Sequence, residues 1–156
     1  DDIPLSYYKR KRTAETAVEE SKLSTTIIGA TQFHSFLAEL FGYLLKFPIW
    51  PVPTKIQVQP VTADEVAETI VDYATLTAAD RPDPVGGPAV HSVRELAQAY
   101  RAVRDLRRPV LRIPIPGETA AAFRAGYATC PDQTVGTVTW KEWLRDHYEN
   151  GTDDNR

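Results

Sequence analysis

Tyr7 and Lys11 are four residues apart near the start of the chain, and this spacing could serve proton transfer. On a helix, residues four apart share a face, so both side chains could contact one ligand. A phenol has a pKa of about 10, and a neighbouring cation favours its ionised form. The pair is therefore a candidate for general acid–base catalysis. The spacing alone is equally typical of an exposed helical turn in which the basic run 9–12 is solvated.

Size and composition predict a single globular domain. The chain has 156 residues, 42% of them hydrophobic and 25% charged, which is enough for a core. The net charge of -3 argues against a general nucleic-acid binder. The basic run 9–12 could be a localisation signal or a phosphate patch, but the glutamates that follow favour i,i+4 ion pairs on a solvated helix. We expect no nucleic-acid partner.

Cysteine and histidine usage predicts neither a disulfide nor a metal site. Cys130 is the only cysteine, so a reducing compartment is the simplest assumption. His34, His91 and His147 are far apart and lack metal-ligand spacing, so each is expected to be a structural or surface residue. No apolar run approaches the roughly 20 residues that span a bilayer. We expect a cytoplasmic protein without a membrane partner.

The start of the chain predicts a helix followed by a buried strand. Residues 6–22 are charged with a narrow apolar stripe, which is typical of a helix. Residues 25–30 are short, apolar and β-branched, as in a parallel strand that is buried on both faces. Such a strand needs two neighbours. We expect strand 56–58 on one side, and a missing segment or a neighbouring chain on the other.

Apolar residues recur with spacings of 3, 1, 3, 1 across 33–45, which predicts an amphipathic helix. Its stripe of Phe36, Leu40 and Leu44 is expected to reach the core, although such a stripe could also line a ligand site. The proline-rich segment 47–53 then predicts a stiff connector rather than a proline-motif ligand.

Three capping boxes mark helix starts in the second half of the chain, namely Thr62 with Glu65, Ser92 with Glu95, and Thr139 with Glu142. Between them, the sequence predicts a Pro/Gly-rich loop at 81–88, a short strand at 110–113 and a helix at 118–127. The polar tail 149–156 is expected to be disordered.

Several stretches resemble the NmrA-like branch of the atypical short-chain dehydrogenase/reductase superfamily. They are YYKRK at 7–11, TIIGATQFH at 26–34, QPV at 59–61 with DEVA at 64–67, GGP at 86–88 and GTVTW at 136–140. They cover nearly the whole chain in the same order as in the family. The resemblance implies an α/β fold, the C-terminal half of a doubly wound parallel-sheet Rossmann fold, with a small, mostly helical substrate-side region. Residues 1–148 would form this part of one domain, and the dinucleotide loop would precede Asp1. The absence of methionine and the start at Asp1 also indicate a fragment or a processed product.

The resemblance also implies roles for individual residues. Tyr7 would donate and accept the proton, and Lys11 would hold the nicotinamide ribose and lower the tyrosine pKa. Thr31, Gln32 and Phe33 would approach the nicotinamide of NAD or NADP, at the end of the predicted strand. The serine or threonine that orients the substrate in the superfamily has no counterpart in this chain.

The first hypothesis is therefore a fragment of an NAD(P)-dependent oxidoreductase that acts on a small carbonyl or quinone-like substrate and is inactive as an isolated chain. Its partners would be that substrate, the missing N-terminal half or a neighbouring chain, and a second copy in a homo-oligomer. A second hypothesis is a non-catalytic NAD(P) sensor of the same fold. A third is a stand-alone interaction domain, which the buried strand disfavours because its edge would be exposed.

Overall fold

The structure is a computed structural model that describes residues 3–21, 23–53, 55–74 and 82–150. The chain contains both helices and short strands, including a parallel strand pair, which confirms the predicted α/β class. The helices are α1 (Ser6–Glu19), α2 (His34–Leu44), α3 (Ala63–Ala74), α4 (Val93–Val103), α5 (Glu118–Arg124) and α6 (Trp140–Arg145), and a π-helical turn (Asp146–Asn150) follows α6. The strands are β1 (Trp50–Pro53), β2 (Gln57–Val58), β3 (His91–Ser92) and β4 (Val110–Ile113).

The larger core lies between the β1–β4 sheet and helices α2, α4 and α6. Strands β1 and β4 pair in parallel, with Trp50 opposite Val110. The rings of Phe41, Trp50 and Tyr100 are fully buried and pack together, with centroids 5.5 to 5.7 Å apart. Because the core draws on segments from 37 to 144, each of these helices depends on tertiary contacts for its stability.

The proline-rich segment was predicted to be a connector, and this prediction is wrong for residues 50–53. Trp50 and Val52 point into the core, while Pro51 and Pro53 alternate with them as in any strand. The strand tolerates both prolines because their nitrogens face away from β4, where no ladder hydrogen bond is needed.

The predicted buried strand at 25–30 is wrong, because residues 25–29 are not in a strand, Ala30 forms only a single bridge, and none of these residues is fully buried. Within the described residues, main-chain pairing begins at Gly29, whose carbonyl accepts from Val85, and Thr31 donates back to Val85. On the other side, Gln32 and His34 pair with Val61. Among the described residues, the predicted stretch 25–30 is thus paired on one side only, through Gly29 and Ala30, and the prediction of two neighbours is wrong for it. The expected pairing with 56–58 is also wrong, because β2 pairs antiparallel with β3.

Helix α2 forms as predicted, but its buried face is rotated. His34, Leu37, Ala38 and Phe41 are buried, at the spacing of one helical face. The expected core residues Phe36 and Leu40 are 56% and 40% exposed, and Leu44 lies at the margin of the core. The apolar pattern spans more than one face, so periodicity alone did not identify the inner one.

The second half of the predicted loop at 81–88 enters the protein interior. Val85, Gly86 and Gly87 are buried, and Val85 forms a second, smaller core with Val61 and Val66. The described part of this stretch is a loop, as predicted, and its burial at 85–87 was not predicted.

The three capping boxes are confirmed, with reciprocal hydrogen bonds between each threonine or serine and its glutamate. The predicted strand at 110–113 and the helix at 118–127, which ends three residues early, are also present. The helical turn continues to Asn150, and the rest of the predicted tail lies outside the described residues. Among the helices described, none is long and apolar enough to cross a membrane.

Candidate functional site

The predicted pair on α1 shares one face of the helix. The Lys11 ammonium nitrogen lies 5.7 Å from the centroid of the Tyr7 ring. Tyr7 is 58% exposed, so its phenol is open to a ligand from solvent or from another polypeptide. A cation at this distance can interact with the face of the ring. The geometry is that expected from the spacing of the two residues.

Tyr8 connects this pair to the second predicted group of site residues. Its ring lies edge-on to that of Tyr7, with centroids 5.4 Å apart. Burial is the main cause that raises the pKa of Tyr8, the neighbouring Tyr7 adds to the rise, and the nearby Gln32 side chain opposes it. The sequence-based argument overlooked Tyr8, although it stands beside Tyr7. Through it, α1 lies against the segment that was predicted to meet the nicotinamide.

Thr31 and Gln32 have their polar atoms engaged inside the protein. The Thr31 hydroxyl donates to the Gln59 carbonyl. The Gln32 side chain donates to the Ala128 carbonyl at 2.9 Å and accepts from the Gln59 N–H at 3.0 Å. Both side chains therefore position the chain around Gln59.

Phe33 differs from these two residues because its ring is 37% exposed. Its backbone is extended and precedes the first turn of α2, next to Val61 in the adjoining segment. The ring is thus held at the end of a paired segment while one side remains open. This combination suits contact with a flat, apolar ligand.

Gln59 is fully buried and is the centre of a hydrogen-bond network. Its side chain donates to the Gly87 carbonyl at 2.8 Å and accepts from the Cys130 N–H at 2.7 Å. With the bonds from Thr31 and Gln32, one side chain and its backbone join four separate segments. A buried amide whose nitrogen and oxygen are both bonded in this way favours one arrangement of its neighbours.

Glu65 joins a further two segments. One carboxylate oxygen completes the capping box with Thr62, and the other accepts from the N–H groups of Thr137 at 2.5 Å and Val138 at 2.9 Å. Burial would raise the pKa of Glu65, but these hydrogen bonds outweigh it and lower the pKa to about 2. The carboxylate therefore stays ionised and ties the start of α3 to the turn before α6.

Glycine is required where the buried loop meets the Gln59 segment. A Cβ atom on Gly87 would lie 1.6 Å from the Pro60 carbonyl oxygen, and one on Gly86 would lie 2.5 Å from the Gln59 side-chain nitrogen. The Gly86 N–H donates to Gln133, and the Gly86 carbonyl accepts from Gly136. These main-chain groups are engaged within the protein and do not offer a cradle for a pyrophosphate.

The resemblance motifs at 59–61, 64–67, 86–88 and 136–140 thus converge on one place, which we call the Gln59–Glu65 node. The sequence signalled these residues through the motifs, but their structural role requires contacts between residues more than 70 positions apart. The node lies directly beneath the segment that carries Thr31, Gln32 and Phe33.

His34 is a buried structural residue next to this node. Its ring stacks against Trp140 and Trp143, with centroids 5.6 Å away in each case. Neither ring nitrogen has a hydrogen-bond partner among the described residues. Burial is the main cause that lowers the pKa of His34, and the nearby Val61 carbonyl and Glu65 oppose it. The histidine is therefore held neutral in an aromatic environment.

Metal-binding side chains are not clustered in the part of the chain that the structure describes. No group of three or more histidine, cysteine, aspartate or glutamate side chains there could hold an ion.

No model of a known protein family and no curated protein sequence matches the chain. Solved structures do match it. The UDP-glucose-4-epimerase from Stenotrophomonas maltophila, with bound NAD and formylated UDP-arabinopyranose, matches with a TM-score of 0.53 and 14% identity, over 92% of this chain and 52% of that one. The NAD dependent-NDP-hexosamine 5,6-dehydratase TunA, involved in tunicamycin biosynthesis, matches with a TM-score of 0.56 and 16% identity, over 85% of this chain and 48% of that one.

RMD from Pseudomonas aeruginosa, complexed with NADPH, matches with a TM-score of 0.54 and 11% identity, over 86% of this chain and 50% of that one. The chain therefore spans about half the length of the structures it matches. At such low identity the likeness shows the fold alone, and this chain has part of a Rossmann-type fold. The likeness does not single out the NmrA-like branch.

Proposed function

We propose that this chain is the C-terminal half of a Rossmann-type NAD(P)-dependent oxidoreductase of the NmrA-like kind, which reduces a small carbonyl or quinone-like substrate. The observation that supports it most is the position of Lys11, 5.7 Å from the exposed ring of Tyr7, on a helix that lies beside the segment 31–33. In this proposal Tyr7 delivers a proton to the substrate oxygen as the cofactor supplies hydride.

The residues of this chain fit the nicotinamide end of the cofactor. Lys11 would hold the ribose hydroxyls and stabilise the Tyr7 phenolate, and the exposed ring of Phe33 would lie against the nicotinamide. Thr31 and Gln32 would act indirectly, because their polar atoms maintain the backbone around Gln59. The N–H and carbonyl groups of Gly86 are already bonded, so the pyrophosphate would be bound by a glycine-rich turn in an N-terminal half or a neighbouring chain.

Turnover of the complete protein that carries this chain tests the proposal. Tyr7→Phe should lower the rate of NADPH-dependent reduction of a small quinone by about 10²-fold or more, with a much smaller change in cofactor affinity. Lys11→Ala should lower both the rate of reduction and the affinity for the cofactor. The matched control is Tyr43→Phe, since Tyr43 is 57% exposed and lies 4.8 Å from the ammonium of Lys46. Equal turnover of Tyr7→Phe and Tyr43→Phe would exclude the catalytic role.

The second candidate is a non-catalytic NAD(P) sensor of the same fold, which the internal engagement of Thr31 and Gln32 favours. In a sensor, Tyr7 would only pack or donate a hydrogen bond. Cofactor binding by the complete protein without turnover of carbonyl or quinone probes would support the sensor and contradict the reductase.

A further inference from the structure

The two outer edges of the β1–β4 sheet differ in their hydrogen-bonding capacity. The Trp50 N–H donates to the Pro109 carbonyl at 3.0 Å, so the main-chain groups of Trp50 and Val52 face β4. Those of Pro51 and Pro53 face outward. Because proline has no N–H group, the outer edge of β1 cannot donate to another strand.

The outer edge of β4 keeps free main-chain donors and acceptors, because the hydrogen-bonding groups of a strand face alternate sides from one residue to the next. Leu111 and Ile113 face β1 with their main-chain groups, and those of Val110 and Arg112 face away from it. Across the described ranges, neither of these two N–H groups donates to a backbone or side-chain oxygen outside the sheet. Proteins usually protect such an edge, and an open one is a site for strand addition.

The surroundings of this edge are basic and apolar. Arg107, Arg108 and Arg112 are exposed, and Asp105 is the one acidic residue in the stretch 105–113, although the whole chain carries a net charge of -3. Leu111 is 52% and Ile113 is 37% exposed. The side chains of Leu111 and Ile113 lie on the outer face of the sheet, and Arg112 lies on the opposite face, because side chains alternate along a strand.

We propose that the open edge of β4 binds an extended segment of a partner protein in which acidic residues alternate with apolar ones. Main-chain hydrogen bonds to Val110 and Arg112 hold the segment. Its acidic side chains lie beside Arg112 and its apolar side chains cover Leu111 and Ile113. A second copy of β4 is a poorer occupant, because pairing two such edges brings their arginines together.

The binding experiment uses the complete protein that carries this chain and a fluorescein-labelled peptide of alternating glutamate and valine, and it measures fluorescence polarisation. Arg112→Gln removes the charge and keeps the N–H group, whereas Arg112→Pro removes both. We expect a several-fold weaker affinity for Arg112→Gln and a further loss of about five-fold for Arg112→Pro, which is the effect of one hydrogen bond. Arg94→Gln, a change at an exposed arginine on α4, should leave the affinity unchanged.

Three outcomes would overturn the proposal. Equal affinity for a peptide with lysine in place of glutamate would show that charge does not select the occupant. Equal affinities of Arg112→Gln and Arg112→Pro would show that the edge is not used. In the unsubstituted chain, amide hydrogen exchange at Val110 and Arg112 should slow when the peptide binds. If exchange is already slow without peptide, and the protein forms a dimer at higher concentration, the edge would be occupied by a second copy. None of these measurements depends on a nucleotide.

Discussion

Replacement of Glu65 by alanine should destabilise the protein more than the same change at either of the other capping glutamates. Glu65, Glu95 and Glu142 each complete a capping box, but only Glu65 also accepts hydrogen bonds from a distant segment in the described structure. Losing a capping box costs about 0.3 to 1.5 kcal/mol. Glu65→Ala also removes the acceptor for the N–H groups of Thr137 and Val138, which costs about 1 kcal/mol for each N–H group. The cost is no larger because the site is half-buried and water can bond to the freed groups.

We therefore expect a loss of about 2.5 to 3.5 kcal/mol for Glu65→Ala and about 1 kcal/mol for Glu95→Ala in urea unfolding. The difference between the two variants isolates the contribution of the bond to residues 137 and 138. Losses that agree within about 0.5 kcal/mol would refute the argument, because independent effects are reproducible to that level.

The hydrogen bonds that Glu65 accepts from residues 137 and 138 also predict that the stability of the fold is sensitive to acid. The pKa of Glu65 is about 2 in the folded protein, lowered from an ordinary 4.5. Its contribution is therefore complete above about pH 4.5 and is lost as the pH falls from there through 2. The stability of Glu65→Gln should change less over this range than that of the unsubstituted protein. Parallel curves of unfolding free energy against pH would contradict this assignment.

His34 gives a second pH dependence, because burial lowers the pKa of its imidazole in the folded protein. Below about pH 6.5 the unfolded chain takes up a proton at His34 more readily than the folded chain does. The free energy of unfolding should therefore fall as the pH drops from 7 towards 5. His34→Phe should remove this component in urea unfolding at several pH values. Gly87→Ala should destabilise the fold by about 3 kcal/mol or more, because its Cβ would overlap Pro60, whereas Gly29→Ala, whose Cβ has ordinary contacts, should be tolerated in thermal unfolding. The chain alone should bind NADH and NADPH weakly in calorimetry, and submicromolar affinity would contradict the division of the cofactor site between two polypeptide segments.

Local signals in the sequence predicted the helix starts well. A capping box needs only two residues three positions apart, so Ser92 with Glu95 and Thr139 with Glu142 were identified correctly. The strand at Trp50 was missed because its prolines argue against a ladder, and their outward orientation follows only from the pairing with β4. Tertiary contacts decided this element, not local preference.

The candidate site was predictable to a similar degree. The spacing of Tyr7 and Lys11 placed them on one face without knowledge of the rest of the molecule. The engagement of Thr31 and Gln32 could not be predicted, because it depends on Gln59 lying beside them. Whether a polar side chain faces a ligand or the protein is settled by its three-dimensional neighbours.

The long-range bonds of the Gln59–Glu65 node bear on the order in which parts of the protein fold. The bond between Gln59 and Cys130 spans 71 residues, and that between Glu65 and Val138 spans 73. During synthesis, Gln59 and Glu65 are therefore made more than 70 residues before their partners. Until those partners are made, the segment around Gln59 and Glu65 lacks these long-range hydrogen bonds. The exposed apolar face of α2 adds to the surface that a chaperone could bind. Contacts of this length slow folding, so we expect the node to close late, after α4 and β4 have been made.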